Sequence, residues 1–412
     1  MLEDFVKSPI TRRRLRTGLA AGHIDGFAAW LHNHGYATMT IDERLRSLAA
    51  WAEWLQAAGF AANDFLSGFE ACTAALGQGH VRYSRGPNDH SRIAAALFIA
   101  FLRDEGILAL PAQAPSPVDR WPILAEFRSW MRQHHGLQDS TLDVYQSVVF
   151  DLLTWSGGTP QIYTAALVRD FVLQRAKPHG IWRAKSITTA VRVFLRFLGA
   201  TGQCAPGLDQ SIPGYASWKL SSVPRYLEPA DVQKVLDGCA ANDARGLRDR
   251  AVMLLLARLA LRAGDVAGLT LQDIDWKNGR IAVCGKGRRQ EWLPLPQDVG
   301  DAILKYIQEG RRGIETDHVF AKVCAPSGTL TRASVTHIAR SALRRAGVKA
   351  PINGAHLFRH SAATAMLRQG ASLAGVGAVL RHRSPSTTAH YAKVDFGLLA
   401  EIAQPWPEVP SC

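Results

Sequence analysis

Cysteines are few in this 412-residue sequence, and long hydrophobic runs are missing. The six cysteines lie far apart and form no CxxC pair, so we expect neither a disulfide framework nor a thiolate zinc site. This usage is typical of a reduced, intracellular protein. No apolar run approaches the roughly 20 residues that a transmembrane helix needs, and the first residues lack the basic-then-apolar order of a signal peptide. The sequence therefore predicts no membrane partner.

Positive charge is in excess, with 48 Lys+Arg against 35 Asp+Glu and a net charge of +13. Residues 1–110 are neutral overall, whereas residues 111–205 carry +4 and residues 206–412 carry +9. A basic surface favours a polyanionic partner such as nucleic acid, although a solvated basic surface has the same composition. Hydrophobic residues make up 47% of the chain, which excludes a disordered protein.

Two segments rich in proline and glycine, near residues 110–117 and 204–224, divide the chain. At about 150 residues per domain, the length predicts two or three domains. We expect a helical domain at 1–110, a second helical domain at 118–205, a linker at 206–225, a mainly α domain at 226–402 and a tail at 403–412.

The two helical domains resemble each other in their aromatic positions. Phe27, Trp30 and His34 have the same spacing as Phe127, Trp130 and His134. Further on, Trp54 aligns with Trp155 and Phe101 with Phe194. The pattern predicts an internal duplication, but two unrelated amphipathic helical domains can also share such positions.

The third domain combines helical and strand patterns. Helices are predicted from about 228 to 239 and from 248 to 261. Strands are predicted at 270–276, 280–284 and 291–295, with an Asn-Gly turn after the first one. Helical periodicity resumes at 298, so this domain should be mainly α with one small three-stranded antiparallel sheet.

Basic and phenolic residues of this domain form an ordered series. His356 and Arg359 are three residues apart and therefore share a helix face. Tyr391 follows His382 by nine residues. Upstream, Arg262 follows a long apolar helix, and Lys286 lies between two glycines. No acidic cluster of the kind that binds a metal accompanies the series, which is Arg262, Lys286, His356, Arg359, His382 and Tyr391.

With these residues in this order, the sequence resembles the tyrosine recombinase, or phage-integrase-like, family over residues 226–396. Residues 118–205 resemble that family's helical, SAM-like core-binding domain, and the duplication would make 1–110 a second copy. The six residues match the family's catalytic set. Asp265 stands where the family more often has glutamate, and we expect it to support the arginines.

The resemblance implies DNA strand breakage and rejoining without a metal, a cofactor or ATP. Tyr391 would be the nucleophile that forms a 3′-phosphotyrosyl link, with His356 as its base. Two guanidiniums, Arg262 and Arg359, are suited to holding phosphate oxygens, and His382 would add a hydrogen bond. Lys286 would protonate the 5′-oxygen that leaves.

The resemblance also implies an integrase or transposase of a mobile element, acting in the bacterial cytoplasm as a homo-oligomer on specific double-stranded sites. Basic residues on two predicted helices, 182–197 and 331–346, are candidate DNA contacts, although solvated helix faces would look alike. An apolar tail, 394–402, would pack on a neighbouring protomer or on its own domain. The candidate DNA contacts are Arg183, Lys185, Arg192, Arg196, Arg340, Arg344 and Arg345.

Four other interpretations compete with this function. His356 and His360 are spaced like zinc ligands, but the glutamate of the metalloprotease motif is missing. The glycines around Lys286 have the wrong spacing for a phosphate-binding loop. A type IB topoisomerase uses the same chemistry as a monomer, and a DNA-binding accessory factor could keep the fold without catalysis. The last two alternatives stay open at the level of sequence.

Overall fold

The computed structural model of the chain is mainly α-helical. It divides into two compact units, residues 1–108 with 222–412 and residues 109–221, and each unit is described separately. Within the described residues, no helix is long and apolar enough to span a membrane. The structure describes residues 2–61, 64–77, 88–110, 116–215, 223–284, 290–311, 315–394, 399–400 and 403.

The N-terminal part of the first unit is helical around its own core. Phe27, Trp51 and Phe98 are completely buried in that core. Asn88 caps the last helix, since its side-chain oxygen accepts the Ser91 N–H at 2.8 Å. The helices are α1 (Leu2–Phe5), α2 (Pro9–Thr17), α3 (Ile24–Asn33), α4 (Thr38–Ala57), α5 (Phe65–Gly77) and α6 (Asp89–Asp104).

The second unit has a separate core built on Phe127, Phe194 and Phe197. A capping box between Ser116 and Asp119 begins its first helix. The helices are α7 (Pro117–Arg120), α8 (Ile123–His135), α9 (Asp139–Ser156), α10 (Ala165–Ala176) and α11 (Ile181–Ala200).

The two helical cores contain similar pairs of aromatic rings. The Phe27 and Phe98 centroids are 5.3 Å apart at 82°, and the Phe127 and Phe194 centroids are 5.3 Å apart at 81°. By this geometry Phe194 corresponds to Phe98. The sequence pattern instead aligns Phe194 with Phe101, which is three residues further along the chain. The duplication itself stays a prediction.

The C-terminal part of the first unit surrounds the apolar helix α13 (Ala244–Arg258), whose Leu255 and Leu256 are fully buried. The short strands lie between α14 (Ala263–Ala267) and α15 (Gln297–Lys305), and a π-helical turn at Tyr306–Gly310 extends α15. The helices are α12 (Pro229–Asp237), α13 (Ala244–Arg258), α14 (Ala263–Ala267), α15 (Gln297–Lys305), α16 (Arg332–Arg345), α17 (Ala355–Arg368), α18 (Leu373–Val379) and α19 (Pro385–Thr388).

The predicted three-stranded antiparallel sheet is confirmed, with β1 (Ile274–Asp275), β2 (Arg280–Cys284) and β3 (Gln290–Pro294) in that order. The strand predicted at 270–276 is too long. Its first part is a 3₁₀ turn, because the Asp273 carboxylate accepts the N–H of Thr270 at 2.9 Å. The mainly α fold class is therefore confirmed together with its small sheet.

Helix α13 ends earlier than the sequence predicts. The periodicity runs to 261, but the helix stops at Arg258, because Ala260 has a left-handed backbone with φ of 50°. Arg262 therefore begins α14 as its N-cap residue and does not end α13. Lys286 and most of the predicted tail helix at 394–402 lie outside the described residues.

Candidate active site

Helix α17 carries the buried guanidinium of the site. The side chain of Arg359 is almost fully buried, and its Nη1 donates to the carbonyl of Ala260 at 2.6 Å. Its Nη2 donates to the carbonyl of Leu380. Burial, with the nearby charges of Arg262 and Arg381, lowers the pKa of Arg359 to about 10. The group remains cationic at neutral pH and is held by two main-chain carbonyls.

Each of those carbonyls belongs to a chain reversal after a helix. Ala260 follows the end of α13, and Arg381 follows Leu380 after α18; both have positive φ, 50° and 52°. At the second reversal, the N–H of His382 bonds the carbonyl of Gly377 at 2.9 Å, as in a Schellman motif. Glycine normally occupies the left-handed position, so an arginine there is conformationally strained.

The Arg381 side chain ties the two reversals together. It is 2% exposed and forms an ion pair with Asp265, whose side chain is 9% exposed. The same carboxylate oxygen, Oδ2, accepts the backbone N–H of Arg262 at 3.0 Å. Asp265 therefore fixes the backbone from which Arg262 extends, a supporting position like the one the sequence predicts. Arg381 was not among the predicted site residues.

The predicted nucleophile, Tyr391, lies in a 3₁₀ helix, Ala389–Val394, and is 3% exposed. Its hydroxyl is 2.7 Å from Nδ1 of His360. Burial raises the pKa of Tyr391 to about 12, although Arg359 and Arg262 act in the opposite direction. In this state the phenol is protonated at neutral pH.

His382 lies beside the phenol, with the two rings nearly parallel and 6.4 Å apart. Its Nδ1 is 2.9 Å from the hydroxyl of Thr388, which is buried. Burial, with the charges of Arg359 and Arg262, lowers the pKa of His382 to about 4. The ring is therefore neutral, and with Nδ1 occupied its Nε2 is free to bind a substrate.

His356, the predicted base, is at the exposed start of α17, one turn before His360. The two imidazole centroids are 4.3 Å apart in an edge-to-face arrangement. Within the described part of the chain, however, the hydrogen-bond partner of the Tyr391 hydroxyl is His360. The spacing of four residues was a usable signal for His360, since it predicts a shared helix face.

The candidate DNA-binding residues have different surroundings. Arg340 and Arg345 line a cleft of about 970 Å³ beside α16, and Arg344 is exposed on the same helix. In the second unit, Arg196 pairs with Asp209 at 2.8 Å and Arg192 donates to the carbonyl of Ile212 at 2.7 Å.

Two further candidates on α11 are partly exposed. They are Arg183 and Lys185, and the ammonium of Lys185 is 5.9 Å from the exposed Trp182 ring. Arg192 and Arg196, by contrast, already have partners inside their own unit. Across the described ranges, no group of three His, Cys, Asp or Glu side chains is arranged to hold a metal ion.

Comparisons with known proteins identify the family. The model of the phage integrase family matches residues 225–397. A Sinorhizobium fredii protein that bears the name integrase/recombinase y4rA is 36% identical over 414 residues, covering 98% of this chain and 99% of the relative. Tyrosine recombinase XerD of Pseudomonas aeruginosa is 27% identical over 296 residues, covering 68% of this chain and 95% of the relative.

A solved structure has the same fold. The XerH site-specific recombinase bound to palindromic difH substrate matches with a TM-score of 0.56 and 17% identity, covering 88% of this chain and 97% of that one. The family match and the relatives thus define a DNA-rearranging enzyme of the tyrosine recombinase class. The chain belongs to the phage integrase family, and its activity is the site-specific breakage and rejoining of DNA strands.

Proposed function

We propose that the chain is the integrase or transposase of a mobile element and that Tyr391 cleaves double-stranded DNA at specific sites. The observation that carries the proposal is that the buried Tyr391 phenol lies beside the half-buried His382 ring and within electrostatic reach of the buried Arg359 guanidinium. The similarity to a protein named integrase/recombinase favours the mobile-element role.

The chemistry needs positive charge where negative charge accumulates on the phosphate. Arg262 and Arg359 supply two guanidiniums, which can hold nonbridging oxygens with paired donors. His382 adds a neutral donor through Nε2. Attack by Tyr391 forms a 3′-phosphotyrosyl link, and Lys286 protonates the 5′-oxygen. The link conserves the energy of the phosphodiester, so a second strand can be joined without ATP.

The protein would act in the cytoplasm as a homo-oligomer on paired DNA sites. The solved complex of XerH with palindromic difH substrate supports the DNA partner. Phosphate contacts would come from Arg340 and Arg344 on α16 and from Arg183 and Lys185 on α11. Arg192, Arg196 and Arg345 are weaker candidates, because each already has a partner within its own unit, which for Arg345 is Asp249 at 3.8 Å.

The test uses nicked suicide duplexes tiled across the DNA that flanks the gene. The wild-type chain should form a protein–DNA adduct that survives boiling in detergent, whereas Tyr391→Phe should bind the same duplex and form no adduct. Lys286→Ala should form it slowly, and a 5′-thiol leaving group should restore the rate because it needs no proton. Adduct formation by Tyr391→Phe would remove the proposed nucleophile.

The same duplexes separate the two alternatives that the sequence left open. A type IB topoisomerase would relax supercoiled plasmid as a monomer and would not pair two sites in a gel shift. An inactive accessory factor would bind DNA and form no adduct in the wild type.

A further inference from the structure

The buried hydroxyl of Tyr391 and Nδ1 of His360 form a hydrogen bond whose function is not assigned above. The two atoms are 2.7 Å apart, and the ring centroids are 5.5 Å apart. Tyr391 packs in a small core cluster with Ala363 and Leu367 of α17, the helix that carries His360, and α17 packs against the 3₁₀ helix of the phenol. His360 therefore touches the atom that is proposed to attack phosphorus.

That atom must lose a proton during the reaction. The phenol has its pKa raised to about 12, so it does not ionise by itself at neutral pH. A base within hydrogen-bond reach of the hydroxyl is therefore required, and geometry is the first criterion for choosing it. His360 satisfies that criterion in the DNA-free protein.

His360 also has the right charge state for an acceptor. Burial, reinforced by the His356 and His390 rings and by Arg359, lowers the pKa of His360 to about 4. The ring is neutral at pH 7, so one ring nitrogen has a free lone pair. The low basicity also leaves the phenol protonated until a phosphate enters. An anionic phosphate in this cationic cluster would stabilise the imidazolium that proton transfer creates.

We propose that His360 is a catalytic residue and accepts the Tyr391 proton during cleavage. The Tyr391 oxygen forms a bond to phosphorus while the bond from phosphorus to the 5′-oxygen breaks. The phenolic proton moves to Nδ1 of His360, and the departing 5′-oxygen takes a proton from the proposed acid. His356, whose ring touches that of His360, is placed to pass the proton on to solvent.

The deciding variant is His360→Asn, because the asparagine oxygen can accept the hydrogen bond and cannot take the proton. Single-turnover adduct formation is measured on a nicked duplex that the wild type cleaves, with thermal stability and DNA affinity as controls. We expect His360→Asn and His360→Ala to be slower by about 100-fold or more, a typical loss for general-base catalysis. His390→Asn, which changes a neighbouring ring, is the matched control and should stay near the wild-type rate.

The rate of adduct formation in added imidazole is a second measurement. It should not change if the role of His360 is purely structural. Imidazole should restore part of the rate of His360→Ala and leave His390→Asn unchanged. A rate for His360→Asn within threefold of the wild type would overturn the proposal, as would the absence of any rescue by imidazole. A His356→Asn variant more than tenfold slower than His360→Asn would assign the base to His356 instead.

The inference rests on the proposed nucleophile, but the two can fail separately. A wild-type adduct that forms equally fast in the His360 variants would remove only the inference. An adduct in Tyr391→Phe would remove the proposed function. Without DNA, ¹⁵N spectra of the histidine rings test the contact: Tyr391→Phe should shift the His360 nitrogen signals, and unchanged signals would contradict it.

Discussion

The hydroxyl of Thr388 controls which nitrogen of His382 can reach a substrate. Thr388 is buried and its hydroxyl is 2.9 Å from Nδ1 of the ring, which leaves the opposite nitrogen, Nε2, for a substrate. A neutral imidazole donates from one nitrogen only, so this contact decides whether the proposed phosphate donor has its proton in the right place.

We therefore expect Thr388→Val to slow adduct formation by about tenfold, since the isosteric change leaves a buried ring nitrogen without a partner at a cost of about 1–3 kcal/mol. Adduct rates and urea denaturation would measure the two effects. The matched control is Thr387→Val at the exposed neighbouring position, which should change neither quantity. Equal behaviour of the two variants would show that the contact does not orient His382.

At the scale of elements, the site is assembled where helices stop. The reversals after α13 and α18 each have a left-handed residue other than glycine, and each supplies a carbonyl to Arg359. Of the two left-handed residues, Arg381 differs more from the glycine that usually occupies such a position. Its Nε and Nη1 are buried without a hydrogen-bond partner among the described residues, which adds to its local strain.

The variant Arg381→Gly tests whether the strained Arg381 is needed for its ion pair with Asp265. Glycine relieves about 1–2 kcal/mol of backbone strain, but it leaves the buried Asp265 unpaired, a loss of about 3–5 kcal/mol. We expect a net loss of about 2 kcal/mol in the free energy of unfolding by urea, together with slower adduct formation. Ala260→Gly relieves strain at the other reversal without removing a charge, and because glycine also makes the unfolded chain more flexible, the variant should be neutral or slightly more stable. A stable and fully active Arg381→Gly would contradict the positioning role.

The sequence predicts these elements well where a local signal marks their ends. Thr331 precedes α16 and caps it, with its hydroxyl 3.1 Å from the N–H of Ser334, and the predicted helix is correct within a residue at each end. The second strand is predicted without error. The end of α13 is not, because Ala260 gives no local signal for a left-handed backbone and the apolar pattern continues past it.

The whole molecule brings the site together from distant parts of the chain. Tyr391 and His360 are 31 residues apart, and Arg381 and Asp265 are 116 apart. The order of motif residues predicts membership of such a site, and a helix period predicts that His356 and His360 share a face. Neither predicts which imidazole meets the phenol, because that depends on how the final 3₁₀ helix packs.

The burial of His360 and His382 affects how stable the folded protein is in acid. His360 and His382 have pKa values lowered to about 4, against an ordinary value of about 6.5. Between those values the unfolded chain binds protons that the folded protein does not. The free energy of unfolding should therefore fall as the pH drops from 6.5 to 4, by at most about 1.4 kcal/mol per pH unit for each ring.

Thermal unfolding at pH 7.5 and pH 5.0 measures this effect. The wild-type midpoint should drop more than that of the doubly substituted chain, His360→Asn with His382→Asn, in which neither ring can titrate. The other titratable and charged groups that face these rings, His356, His390, Arg262 and Arg359, are the same in both proteins. Equal drops would locate the acid sensitivity elsewhere in the chain.

The main-chain oxygens that hold Arg359 have one more consequence. Every amino acid carries a carbonyl, so no exchange of side chain at 260 or 380 deletes either acceptor. Ala260 and Leu380 are themselves fully buried, so a saturation library scored for recombination should tolerate the replacements there that fit the packing, such as Ala260→Gly and Leu380→Met, while rejecting nearly all of them at 359. The two acceptors that hold Arg359 belong to the main chain, so a point mutation can displace them but cannot delete them.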